Sequence, residues 1–171
     1  MRERLHLGGV VVARKKIFTW DELAREVARL KEEGKRIVFT NGCFDLLHIG
    51  HARYLQQARE LGDFLVIGLN SDESVRGLKG PSRPLIPEAE RAEMLAALEC
   101  VDAVALFPQQ RPDDLIRVVR PHLHVKGGDY KKEDLPEAAL VESLGGEVRV
   151  LPLVEGRSTS EIVLRVLERY R

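Results

Sequence analysis

The sequence predicts an α/β fold in which about five parallel strands form one doubly wound sheet, covered by helices on both faces. Short and almost wholly apolar segments recur along the chain, as is typical of strands buried on both sides. An amphipathic helical segment separates each from the next, which is the pattern of right-handed βαβ crossovers. A chain of 171 residues has the usual size of one compact domain. Together these observations indicate a single Rossmann-like domain.

The predicted domain covers residues 17–171 and follows an N-terminal extension of residues 1–16. Thr19 and Glu22 form a capping-box pattern, and apolar residues then recur at helical spacing until Gly34. Further helices are predicted at residues 51–61, 88–98, 112–119, 135–144 and 159–170. Strands are predicted at residues 36–40, 63–69, 102–106, 122–126 and 147–151. Residues 70–87 are predicted to form a long, turn-rich loop, and such loops usually have a function.

The composition excludes several classes of protein. Lysine and arginine number 27, as do aspartate and glutamate, so the charge balance gives no sign of a nucleic-acid or membrane surface. Cys43 and Cys100 form no CxxC pair, which argues against a disulfide framework or a zinc site. The first residues are too polar for a signal peptide or a membrane helix. We therefore expect a cytoplasmic protein with neither nucleic acid nor membrane as a partner.

The first strand-to-helix loop, TNGCFDLLHIGH, carries the strongest chemical signal. In a doubly wound sheet, ligands bind beyond the carboxyl ends of the strands, where strand order reverses. His48 and His51 stand there at a predicted helix start, whose unpaired N–H groups and dipole favour phosphate. Gly50 between them lets a triphosphate approach the backbone, and the imidazole N–H groups can stabilise a departing pyrophosphate. The structural alternative is that His48 caps the helix and His51 begins a solvated face.

Two later loops also carry groups that are suited to binding a nucleotide. Ser158 or Thr159 can cap the last helix while hydroxyl and N–H groups face an anion, although a plain N-cap is the alternative. The glycines of VKGGDY let the backbone wrap a base, and Asp129 can accept hydrogen bonds from a ribose or a bound sugar. A simple turn is the alternative there. The predicted nucleotide-binding residues are Thr40, Asn41, Gly42, Cys43, Phe44, Gly50, Lys126, Gly128, Asp129, Ser158, Thr159 and Ser160.

The predicted loop 70–87 supplies basic candidates. Lys79 can swing over a triphosphate and neutralise charge as the bond breaks, with a solvated surface lysine as the alternative. Arg83 and Arg91 are candidates for a phosphate, although a surface salt bridge between Arg91 and Glu88 competes. Asp45 can brace the loop or a neighbouring histidine, or approach a metal. The predicted substrate-binding residues are Asp45, Asn70, Asp72, Arg83 and Arg91.

GCFDLLHIGH resembles the GxFDxxHxGH signature of the cytidylyltransferase-like nucleotidyltransferase superfamily, whose two histidines fall on His48 and His51. GRSTS is similar to the superfamily's second signature, and Lys79 matches the place of its loop lysine. The resemblance implies that a substrate phosphate attacks the α-phosphorus of a nucleoside triphosphate directly in line. Pyrophosphate leaves, Mg²⁺ assists, no enzyme-bound intermediate forms, and the catalytic residues are His48, His51 and Lys79.

A closer resemblance extends over residues 17–168, with KGPSRP and VKGGDY as its most specific segments. They look like the adenylyltransferases of ADP-heptose synthesis in their stand-alone form, without the kinase half. This implies AMP transfer from ATP to heptose 1-phosphate, a role in lipopolysaccharide assembly, and a homo-oligomer, most simply a dimer. One alternative is a cytidylyltransferase acting on glycerol-3-phosphate or a phospho-alcohol. Another is a non-catalytic nucleotide-binding sensor, which predicts a damaged histidine pair or a missing lysine.

Overall fold

The computed structural model describes residues 6–7, 10–11, 16–128, 131, 134–152 and 158–170. The strands within these ranges are β1 (His6–Leu7), β2 (Val10–Val11), β3 (Ile37–Gly42), β4 (Phe64–Asn70), β5 (Ala103–Phe107), β6 (Leu123–Gly127) and β7 (Glu147–Leu151). The helices are α1 (Trp20–Glu32), α2 (Ile49–Glu60), α3 (Asp72–Lys79), α4 (Glu88–Ala96), α5 (Asp113–Val119), α6 (Ala138–Ser143) and α7 (Thr159–Arg169). Among them, no helix combines the length and apolarity needed to cross a membrane.

The predicted parallel sheet is confirmed. Within the described residues it has five strands in the order β5-β4-β3-β6-β7, and each neighbouring pair is parallel. The chain runs outward from β3 to β4 and β5, and then crosses to the other side of β3 to form β6 and β7. Strand order therefore reverses between β3 and β6, which is where a doubly wound sheet binds its ligands.

Strands β3 and β6 pair only over their first halves. Their register pairs are Val38 with Leu123 and Phe39 with His124, although the strands continue to Gly42 and Gly127. By contrast, β3 and β4 share six register pairs. The ladder between β3 and β6 thus ends before the carboxyl edge of the sheet, at the position where a doubly wound sheet has its ligand-binding crevice.

Helices cover both faces of the sheet, as predicted. Alternate residues of β3 point to opposite sides, because side chains of a strand alternate between its two faces. Phe39 lies in one core with residues of α1, α5 and α6, and Val38 lies in the other with residues of α2 and α4. Each fully buried aliphatic or phenyl side chain contributes roughly 1.5–3 kcal/mol to folding. These two cores hold the strand ends, and thus the crevice, in place.

The prediction of a continuous loop over residues 70–87 is wrong, because α3 occupies Asp72–Lys79. Ser71 caps this helix by accepting a hydrogen bond from the backbone N–H of Ser74 at 3.2 Å. Acidic residues fill its first turn and basic residues its last, which suits the helix dipole. Only Ser74 and Val75 of the helix are buried, so the sequence shows no apolar periodicity. The capping-box prediction at Thr19 and Glu22, by contrast, is confirmed.

The predicted N-terminal extension contains the short strands β1 and β2, which pair in antiparallel fashion. Residues 16–18 make hydrogen bonds to the rest of the described chain, at β5 and the segment before it. The Lys16 ammonium donates to the Leu98 carbonyl at 3.0 Å, and the backbone N–H of Phe18 donates to the Val104 carbonyl at 2.9 Å. This segment therefore lies along the β5 edge of the sheet.

Candidate active site

A tyrosine from α2 closes one side of the crevice between β3 and β6. The Tyr54 hydroxyl donates to the Val125 carbonyl at 3.0 Å and lies 2.7 Å from the Thr40 hydroxyl, which can then donate to it. Burial raises the pKa of Tyr54. Thr40 has no exposed surface, and its hydroxyl is engaged by Tyr54. The predicted nucleotide contact is therefore not available to the Thr40 side chain.

A second polar cluster, formed by Asn41, His124, Lys126 and Glu137, closes the other side. The side-chain oxygen of Asn41 lies 3.2 Å from His124 Nε2 and accepts from Lys126 Nζ at 3.3 Å. Lys126 Nζ also donates to a Glu137 carboxylate oxygen at 3.1 Å. Two groups thus fix the oxygen end of the Asn41 amide, which leaves its NH₂ end as the donor.

Charge and burial set the protonation of this cluster. Burial, assisted by the Lys126 charge, lowers the pKa of His124 to about 4, so the ring is neutral at pH 7. Burial alone would raise the pKa of Glu137, but the charge and hydrogen bond of Lys126, a backbone hydrogen bond and the nearby His124 together hold that pKa below its usual range. Glu137 did not emerge from the sequence, since it looked like an ordinary residue near a helix start.

The two signature histidines stack on each other at the start of α2. Their ring centroids are 3.9 Å apart and the ring planes differ by 27°. His48 Nδ1 accepts from the Gly50 N–H at 3.2 Å, and His51 Nδ1 accepts from the His48 N–H at 3.4 Å. Since each Nδ1 acts as an acceptor, each neutral ring carries its proton on Nε2. The two Nε2–H groups are the donors that a phosphate needs.

His48 does cap the helix, as the structural alternative predicted, but His51 does not begin a solvated face. It is half-buried against Phe44, whose ring centroid lies 5.3 Å from that of His51. Phe44 adopts a positive φ of 45°, a conformation that non-glycine residues seldom take. Burial, assisted by the nearby His48, lowers the pKa of His51 to about 4. At pH 7 His51 is therefore a neutral hydrogen-bond donor.

The loop before the histidines is shaped closely around Phe44. A side chain at Gly42 would meet the Phe44 ring at 3.0 Å, so a larger residue would displace this ring. Cys43 is half-buried, and burial raises the pKa of its thiol. Lys79 lies near enough for its charge to oppose that rise. The carboxyl end of α3, which carries the exposed Lys79, therefore approaches this loop.

The second signature meets the first in space. Ser158 caps α7 by accepting from the Glu161 N–H at 3.1 Å, and the Thr159 hydroxyl donates to the Leu46 carbonyl at 3.4 Å. The start of α7 thus lies against the loop between β3 and α2, here called the histidine loop (residues 43–48). This contact joins Thr159 to Leu46, although 113 positions separate them along the chain. Ser160 is exposed and Gly128 is buried with a φ of 144°. Asp129 and residues 156–157 lie outside the described residues.

Arg91 does not form the surface salt bridge with Glu88 that was the alternative to its predicted role in substrate binding. It is 1% exposed, and its guanidinium pairs with Asp72 at 2.7 Å, while Glu88 accepts from the Asp72 backbone N–H at 2.6 Å. The guanidinium also donates to three backbone carbonyls, those of Cys43, Asn70 and Ile86. With four protein acceptors in the interior, Arg91 does not have the exposed guanidinium that a phosphate ligand requires.

Asp45 braces the segment before α4, here called the connector (residues 83–86). One carboxylate oxygen accepts from the backbone N–H groups of Leu85 at 2.8 Å and Ile86 at 3.0 Å. The other lies 3.1 Å from the Arg83 guanidinium, and both side chains are largely buried. Asn70 is also buried and donates to the Ser74 hydroxyl at 2.8 Å. The predicted substrate-binding residues therefore lie mainly in an internal network.

Possible metal-ligand side chains lie apart from one another in the part of the chain that the structure describes. Within the described ranges, no three histidine, cysteine, aspartate or glutamate side chains come together as possible ligands. Asp45, the carboxylate of the histidine loop, is engaged by Arg83 and two backbone N–H groups.

Residues 39–165 match the model of the cytidylyltransferase-like family. The chain belongs to this family of nucleotidyltransferases. The matched segment contains the crevice, the histidine pair, Lys79 and the start of α7. Membership therefore rests on the same part of the molecule that the geometry marks as the candidate site.

Similar proteins include the bifunctional protein HldE of Pelobacter propionicus, 57% identical over 155 residues, which cover 91% of this chain and 32% of that protein. HldE of Geobacter sulfurreducens is 52% identical over the same coverage. The chain thus spans about a third of the length of these relatives.

Two solved structures are similar in fold. The lipopolysaccharide core biosynthesis protein of Thermoplasma volcanium superposes with a TM-score of 0.59 at 28% identity, over 72% of this chain and 100% of that one. Pantoate-beta-alanine ligase of Francisella tularensis has a TM-score of 0.59 at 15% identity, over 85% of this chain and 69% of that one. At that identity the second likeness concerns the fold alone.

Proposed function

We propose that this protein transfers AMP from ATP to heptose 1-phosphate, forming ADP-heptose and pyrophosphate. The observation that carries nucleotidyl transfer is the stacked pair His48 and His51, whose Nδ1 atoms are both acceptors within the first turn of α2. The choice of ATP and of the heptose acceptor rests on the resemblance of KGPSRP and VKGGDY to the adenylyltransferases of ADP-heptose synthesis.

In the proposed reaction, a phosphate oxygen of the acceptor attacks the α-phosphorus of ATP. The bond from the α-phosphorus to the oxygen that bridges it to the β-phosphorus breaks, and pyrophosphate carries away that electron pair. The Nε2–H groups of His48 and His51 donate to phosphate oxygens as negative charge builds up, which is where such donors lower a barrier most. Lys79 adds a positive charge over the leaving group.

Three further groups among the predicted nucleotide-binding residues complete the proposed pocket. In the proposal, the Asn41 NH₂ group, Lys126 beside it and the start of α7, which lies against the loop before the histidines, supply hydrogen-bond donors for ribose or phosphate. Mg²⁺, which the resemblance implies, enters the proposal only as a counter-ion of the triphosphate. A homodimer is also part of the proposal, and light scattering of the purified protein would measure it.

The decisive experiment is an acceptor panel read by pyrophosphate release. ATP and CTP are each incubated with both anomers of D-glycero-D-manno-heptose 1-phosphate, with glycerol-3-phosphate and with a phospho-alcohol. We expect pyrophosphate only from ATP with a heptose 1-phosphate, and none from a variant lacking both signature histidines. Release from CTP with glycerol-3-phosphate would instead favour the cytidylyltransferase alternative. Nucleotide binding without release from any pair would favour the sensor.

A further inference from the structure

One buried guanidinium joins the segments that carry the proposed catalytic groups. From α4, Arg91 donates to the Cys43 carbonyl of the histidine loop at 2.6 Å and to the Asn70 carbonyl at the end of β4 at 2.9 Å. Its third partner is the Asp72 carboxylate in the first turn of α3, at 2.7 Å. A single planar group therefore fixes the distance between the histidine loop and the start of α3.

Asp45 makes the same connection from the opposite direction. It belongs to the histidine loop, and its carboxylate binds two backbone N–H groups of the connector and the Arg83 guanidinium. Arg91 binds the connector as well, through the Ile86 carbonyl at 2.9 Å. The connector is thus joined to the histidine loop twice, through its N–H groups by Asp45 and through its Ile86 carbonyl by Arg91. These are charge-assisted hydrogen bonds, which are stronger than those between neutral groups.

Helix α3 transmits this placement to Lys79. Its first turn is held by Arg91, by Glu88 and by the Ser71 cap, and Ser74 is held by Asn70 and by the Gln109 carbonyl. Lys79 is the last residue of the helix, about 10 Å further along its axis at 1.5 Å per residue. A helix is stiff over this length, so a shift at Asp72 moves the lysine as well.

We propose that Arg91 is a positioning residue, which sets Lys79 relative to His48 and His51 without touching substrate. The kinetic consequences rest on the function proposed above. A lysine keeps the charge but cannot reproduce the planar fork, so it cannot bind Cys43, Asn70 and Asp72 at once. Arg91→Lys should therefore displace α3 from the histidine loop while leaving the nucleotide pocket around Asn41 and α7 unchanged.

The kinetic test compares Arg91→Lys with Arg59→Lys as a matched control. Arg59 also pairs with an aspartate, Asp102, at 2.7 Å, but that pair lies at the opposite edge of the sheet. Arg91→Lys should lower kcat on the order of 10²-fold, since displacements of about 1 Å have such effects. KM for ATP should stay within threefold, and Arg59→Lys should keep the wild-type kcat.

A double-mutant cycle tests whether the loss of kcat in Arg91→Lys arises from displacement of Lys79. In a Lys79→Ala background, Arg91→Lys should lower kcat by less than threefold further, because the group that it positions is already gone. The full additional loss in that background, or wild-type kcat in the single variant, would overturn the proposal. Should Arg91→Lys fail to fold, Asp72→Asn, which keeps the acceptor oxygen and removes the charge, replaces it with the same expectations.

Hydrogen exchange provides a readout that does not depend on activity. Amide protection in residues 72–80 and 85–86 should fall at least tenfold in Arg91→Lys and remain unchanged in Arg59→Lys, with protection in β3 and β4 preserved in both. Unchanged protection of α3 would contradict the proposal even if kcat falls. If the acceptor panel gives no turnover with any pair, the proposed function fails, while the exchange experiment still tests the role of Arg91.

Discussion

At the scale of single residues, the hydrogen bonds of the two signature histidines determine their chemistry. Both Nδ1 atoms accept from backbone N–H groups, so the protons of both neutral rings are on Nε2. His51 is neutral at pH 7 because burial and the neighbouring His48 lower its pKa to about 4. In the proposed reaction, a neutral donor stabilises the charge that develops on the triphosphate without holding the ground-state anion as tightly as a cation would.

This leads to a test with single substitutions. His48→Ala and His51→Ala should each lower kcat by about 10²-fold or more, since each removes a donor to the transition state. The dissociation constant for ATP should change much less. His122→Gln is the matched control, because His122 accepts from the Ile37 N–H at the start of β3, far from the crevice. Wild-type turnover in either alanine variant would remove that histidine from the mechanism.

At the scale of elements, the sequence predicted helices and strands best where their buried side chains recur at a regular spacing. The strands and the helices with an apolar stripe were found to within a few residues, because core packing requires that stripe. Helix α3 was missed, since caps and end charges define it and only Val75 among its apolar residues is buried. The histidine loop and the α7 cap were likewise predictable, because their signals are local.

The partners of Asp45, Arg91 and Glu137 could not be predicted in the same way. Asp45 meets the backbone of residues 85 and 86 across 40 and 41 positions, and Arg91 meets Cys43 across 48. Glu137 pairs with a lysine from a different element, Lys126. These contacts arise from how the strands, α3 and α4 pack together, and a single sequence contains no periodic trace of them.

Helix α3 also gives a prediction of its own, since it carries Lys79 at its carboxyl end. Lys79→Ala should lower kcat by about 10²-fold, because in the proposed reaction it removes the charge over the leaving pyrophosphate. Arg76→Ala, an exposed basic residue one turn earlier on the same helix, serves as the control and should stay within twofold of wild type. Steady-state pyrophosphate release measures both variants. Equal rates for the two variants would show that Lys79 is a solvated surface lysine without a catalytic role.

At the scale of the whole molecule, buried neutral histidine links stability to pH. The folded pKa of His124, about 4, lies below its ordinary value of 6.5, so the unfolded chain binds a proton that the folded chain does not. Stability from this group is complete above pH 6.5 and falls as the pH drops towards 4. Lys126 opposes protonation of His124, whereas Glu137 favours it.

The corresponding measurement is urea unfolding at pH 7 and at pH 4.5. The wild-type free energy of unfolding should fall between them, with His124 contributing on the order of 2 kcal/mol. His124→Gln keeps a side-chain N–H that can reach Asn41 but does not titrate, so its fall should be smaller by that amount. An identical fall in both proteins would show that other groups account for the acid sensitivity.

The early end of the ladder between β3 and β6 has a consequence for how such a pocket can diversify. Beyond Phe39 and His124, the two halves of the sheet are spaced by side chains alone, with Tyr54 on one face and the Asn41 cluster on the other. The separation of the two strands beyond that point therefore depends on these side chains and not on backbone pairing. Substitution of these side chains can change the size of the cosubstrate that the site accepts, while every strand keeps its position.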